Sequence, residues 1–147
     1  MRVPDLKIAP HMSYGQLRRY ADSLGVEVCS RNLPGDYDGF YHAGTGMIIV
    51  DRAMTYTQKR CTLTHELVHW SHGDDTCNGI MGARMEQRTR RETATLLIPQ
   101  LEYATLENIY DGEAYLMAVE LNVTEQVLRD YKELILDRRQ YVGDIRP

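Results

Sequence analysis

The chain has 147 residues and a mass of 17.0 kDa, enough for one domain with a substantial core and too little for two. Hydrophobic residues make up 43% and charged residues 26%, which excludes the disordered and fibrous classes. A formal net charge of -4 leaves no global basic footprint for nucleic acid or anionic membrane, and no apolar run approaches the ~18 residues needed to span a bilayer.

In chain order, the first predicted element is a helix. Ser13 and Gln16 form a capping box, Leu17, Tyr20, Ala21 and Leu24 make an apolar stripe, and Gly25 is its stop. VEVCSRN, GFYH and MIIVD follow, separated by the turn chemistry of LPGDYDG and AGTG, and predict a small antiparallel sheet of about three strands. A second capping box, Thr55 with Gln58, opens a helix that should run to Gly73. A polar loop, GDDTCNG, then leads to a helix from about Met85 to Ile98, ended by Pro99. LEYATLENIY, GEAYLMAVEL and TEQVLRDYKELILDRR read as further helices, the last capped from Asn122 and Glu125. Helix, small sheet, then helices is an α+β order.

The segment TLTHELVHW places His65 and His69 one helical turn apart, so both imidazoles project from one face. Leu63, Leu67 and Trp70 line the opposite side. H-E-x-x-H on a helix supplies two neutral imidazoles to Zn²⁺ and sets a carboxylate, here Glu66, where it can take a proton from water during attack on a carbonyl. The plain alternative is two solvated or packed histidines. A catalytic zinc needs a third protein ligand. Cys61 and His72 share the helix face, but each turn adds about 5.4 Å of rise, so such a stripe cannot all reach one ion. Asp75 sits where an extended motif would put its last ligand, yet position 72 is His rather than Gly. Glu86 is the better placed, with Thr89 and Thr93 following on its own helical face, and Glu92 lies about 240° away on that helix. A solvated first-turn glutamate is the competing reading of Glu86.

HELVH followed by HGD, then Glu86 and a helix closing on LLIP, resembles the ImmA/IrrE family of zinc-dependent peptidases. The likeness extends upstream through YGQLRRYADSLGVEV and YDGFYHAGTGMIIVDRAMTYTQKRCTLTHE, and covers roughly residues 13 to 99. It implies a zincin-like domain with His65, His69 and Glu86 as zinc ligands and Glu66 as catalytic base. It also implies a bacterial or phage setting and a protein substrate, a helix-turn-helix transcriptional repressor whose cleavage releases transcription. Where the family usually has alanines after the glutamate, this chain has Thr89 and Thr93, and Glu92 stands in place of an aromatic. The expected organisation is one domain over 1–147, with a catalytic core at 13–99 and a helical tail at 100–147 packed on it.

Tyr41 and His42 are candidates for oxyanion stabilisation, because a phenol or imidazole can donate to a developing alkoxide. A free sheet edge would let an extended peptide bind by strand addition. The tail also has helix-turn-helix spacing, with Ala118, Leu121, Val123, Val127 and Leu134 at the buried positions. A DNA-binding regulator is therefore one rival, but its would-be recognition helix sets Glu125 and Asp130 against Arg129 and Lys132, so direct nucleic-acid binding is not expected. A catalytically inactive metal-binding protein is the other. Cys29, Cys61 and Cys77 are odd in number with no C-x-x-C pair, which fits a reducing compartment. With no apolar leader in MRVPDLKIAPHM, a cytoplasmic, unanchored protein is expected.

Overall fold

The computed structural model of the chain describes residues 5–74 and 80–138. Its first helix, α1 (Tyr14–Ser23), opens on the predicted capping box: Ser13 Oγ accepts from the Gln16 N–H, and the Gln16 side chain accepts from the Ser13 N–H. Leu17 and Ala21 bury completely against the sheet and the next helix.

The sheet has three strands, β1 (Glu27–Arg31), β2 (Gly39–His42) and β3 (Met47–Asp51), in the order β1-β3-β2. It is mixed rather than antiparallel. β2 and β3 form the expected hairpin, while β1 runs parallel to β3 with Val28 beside Ile48. MIIVD is the most apolar strand, and Ile48 and Val50 are fully buried, so β3 takes the centre and accepts a neighbour on each side. Strand β2 is thereby an edge. The carbonyls of Asp38 and His42 accept from Asp51 and Gly46 on the β3 side, so by alternation the backbone groups of Gly39 and Tyr41 face outward.

Helix α2 (Tyr56–Ser71) begins on the Thr55–Gln58 capping box. It was expected to be apolar on one side only. In the structure Arg60, Thr64 and Val68 are buried along with Leu63 and Leu67, while Trp70 is only half-buried, because helices cover the side of α2 turned away from the sheet. Arg60 donates to the carbonyls of Pro10, Met12, Leu121 and Asn122 at 2.8–3.2 Å, tying α2 to the N-terminal segment and to a later helix end.

Helix α3 spans Ile80–Leu97, starting well before Met85, since Ala83 and Arg84 favour helix and Gly82 does not stop it. Pro99 ends it and caps α4 (Gln100–Tyr110). α5 (Ala114–Leu121) ends on Asn122 in the left-handed conformation. α6 (Glu125–Tyr131) is capped by Thr124, whose hydroxyl accepts from the Val127 N–H, rather than by Asn122, and it continues into a π-helical turn at Lys132–Leu136. Buried side chains from Ile8 to Ile135 form one hydrophobic cluster, and α6 packs on α3. Among the described residues no helix is long and apolar enough to cross a membrane.

Candidate metal centre

α2 and α3 pack side by side, and that packing brings three donors to one point. His65 and His69 meet edge to face with ring centroids 4.9 Å apart. The Nε2 atom of His65 lies 2.9 Å from one oxygen of Glu86, and the Nε2 atom of His69 lies 3.1 Å from the other. A ligand atom from each of the three residues lies within 4.8 Å of the other two. Donors 2.0–2.2 Å from a common ion stand about 3–4 Å apart, so two imidazoles and a carboxylate so spaced suit a divalent cation and leave a coordination position open. Thr89 (fully buried) and Thr93 (2% exposed) keep α3 slim enough to approach α2.

Electrostatics separates the two glutamates. Hydrogen bonds from His65 and His69 hold the Glu86 carboxylate well below the usual carboxylate range. Burial pushes the Glu66 carboxyl above it, against the pull of the same two histidines and of a hydrogen bond from the Tyr41 backbone N–H on the outer edge of β2. In the metal-free protein, burial lowers the His69 pKa, but hydrogen bonds to Glu86 and Asp74 outweigh it and raise the value to about 9.

A cleft of about 680 Å³ runs past His65, Glu66 and Glu86 and is also lined by Arg90, Thr93, Gln126 and Asp130. Among these, Arg90 forms an ion pair with Asp130 at 2.9 Å, joining α3 to α6. Of the other residues weighed from the sequence, Cys61 lines this cleft but stands outside the donor cluster. His72 is engaged 2.8 Å from Glu92, so Glu92 and Glu86 serve different histidines, as their separation around α3 requires. Asp75 falls outside the described residues. The structure does not bring Tyr41 or His42 to the cleft by its side chain. The Tyr41 ring packs on the core, and the His42 ring is held 3.0 Å from Thr45 Oγ1 in its own turn.

Asp74 and Arg88 carry no role from the sequence. Asp74 accepts from His69 Nδ1 at 2.8 Å and from Arg88, and its side chain is only 8% exposed. HGD was visible as a motif, but only the turn at Gly73, with φ 64°, brings Asp74 back onto α2.

No curated protein and no solved structure matches the chain significantly. Residues 21–130 match the IrrE N-terminal-like domain of the peptidase M78 family, a span that contains the helix pair, the cleft and the three convergent donors. The chain belongs to this family, whose peptidases depend on a metal ion.

Proposed function

We propose that the protein is a zinc-dependent endopeptidase with His65, His69 and Glu86 as metal ligands and Glu66 as general base. The observation that carries this reading is the convergence of His65 and His69 on the two oxygens of one carboxylate, with a second, buried carboxyl one residue from His65. Bound zinc supplies Lewis acidity, polarising a substrate carbonyl and acidifying a water molecule. Glu66, its proton affinity raised by burial, accepts the water proton and passes it to the leaving amine. The outward backbone groups of Gly39 and the outward carbonyl of Tyr41, whose N–H is given to Glu66, can pair with an extended peptide, which would lie along β2 beside Glu66. His2Glu ligation with one open position favours zinc over metals that demand all-oxygen octahedral sites.

The proposed substrate is a helix-turn-helix transcriptional repressor, in a bacterial or phage setting and in the cytoplasm. The chain acts as one domain, with α6 and its cap Thr124 forming one wall of the cleft. Direct DNA binding is not part of this reading: α6 spends Val127, Leu128 and Tyr131 on the core, leaving Glu125, Gln126 and Arg129 exposed without a positive balance.

The test compares new protein N-termini in cells expressing the wild type and Glu66→Gln. The wild type should generate a cut in such a repressor that Glu66→Gln, still zinc-loaded, generates about 10²–10⁴-fold more slowly. Equal cutting by both proteins would remove Glu66 from the chemistry.

A further inference from the structure

Metal-binding histidines need their second ring nitrogen held, since an imidazole free to rotate or to change tautomer loses its aim. His65 and His69 differ in this respect. The Nδ1 atom of His69 stands 2.8 Å from the Asp74 carboxylate, while the Thr89 hydroxyl is a longer contact at 3.3 Å. Asp74 follows the end of α2, and its backbone N–H donates to the His69 carbonyl at 3.0 Å, so backbone and side chain grip the same residue. The carboxylate also receives Arg88, two residues beyond Glu86 on α3. One buried carboxylate therefore bridges a histidine donor on α2 to the helix that carries the carboxylate donor.

We propose that Asp74 and Arg88 are positioning residues for the metal centre, a clasp that fixes the spacing of His69 and Glu86 before any ion arrives. Asp74 accepts the Nδ1–H of His69 and so fixes the ring with Nε2 aimed at the donor cluster, where its lone pair becomes available once a cation displaces the Nε2 proton. Arg88 holds Asp74 in that orientation and offsets its charge, so the bridge closes between the two helices rather than opening to solvent. Neither residue touches substrate. The proposal rests on the ligand set of the proposed function and adds to it the device that keeps two of its members in register.

The experiment measures Co²⁺ affinity by chelator competition, together with the Co²⁺ ligand-field spectrum, on the full chain. Asp74→Ala should weaken Co²⁺ binding about 10–100-fold and alter the spectrum. Asp74→Asn, which keeps a neutral acceptor for His69, should lose less, and Arg88→Ala should weaken binding in the same direction as Asp74→Ala. Glu92→Ala breaks a carboxylate–histidine bridge of the same 2.8 Å length between the same two helices but away from the donors, and should leave affinity and spectrum unchanged. Wild-type affinity and spectrum in both Asp74→Asn and Arg88→Ala would overturn the clasp even if Asp74→Ala failed to fold. Failure of the wild type itself to bind Co²⁺ would instead strike at the proposed ligand set.

Discussion

Three carboxylates around the His65–His69 pair differ in state because their surroundings differ. Glu86 faces two imidazoles and stays ionised; Glu66 is 8% exposed, and burial raises its proton affinity; Asp74 is pinned between His69 and Arg88. His69 carries the pH dependence. Its folded value of about 9 lies above the ordinary 6.5, so in the metal-free protein its contacts with Glu86 and Asp74 contribute stability that is full below about pH 6.5 and lost as pH rises through 9. A bound cation must displace that proton from Nε2. Apparent metal affinity should therefore climb up to about tenfold per pH unit between pH 6 and 8 from this group alone and level off above 9. Calorimetry in buffers of different ionisation enthalpy checks the sign: proton release supports it, and pH-independent binding without release contradicts it.

At the scale of elements, two close contacts fix how neighbouring segments meet α2. Gly39 begins β2 directly over α2; a Cβ there would lie 2.7 Å from the Ile49 carbonyl oxygen and 2.8 Å from the Thr62 methyl. Gly39→Ala should shift β2 away from Glu66 at a cost of about 1–3 kcal/mol, and peptide cleavage should fall while metal content stays constant. Loss of the metal as well would show that β2 supports the donors, not the substrate. Arg60, 1% exposed, adds to the left-handed cap of α5 by bonding the Leu121 and Asn122 carbonyls, and it bonds carbonyls of the N-terminal segment as well. Arg60→Ala strands those carbonyls in the interior and should cost about 3 kcal/mol or more, read from the urea midpoint. A change below 1 kcal/mol would mean that water replaces the guanidinium. Much at this scale was legible in the sequence. Ser13–Gln16 and Thr55–Gln58 signal their helix starts through neighbours three residues apart, and both form. The parallel β1–β3 pairing was not legible, because LPGDYDG advertises a turn but says nothing about which strand lies across it.

For the whole molecule, the candidate site is where helix α2, with its motif in five consecutive residues, meets a helix whose donor lies 17 positions beyond His69. The first half of that meeting is local and could be read from the spacing of His65, Glu66 and His69. The second depends on how α3 lies against α2, and the spacing alone left Glu86 balanced between ligand and solvated glutamate. Asp74 and Arg60 were silent for the same reason: their partners are backbone or side-chain atoms that only the assembled fold supplies. The central claim is that one ion is held jointly by the two helices, so removing a donor from either must release it. The direct measurement is elemental analysis of zinc per chain for the wild type, His69→Ala and Glu86→Ala, each confirmed folded. About one zinc is expected in the wild type and a near-complete loss in both variants. Full zinc retention in Glu86→Ala, or none in the wild type after loading, would contradict that claim.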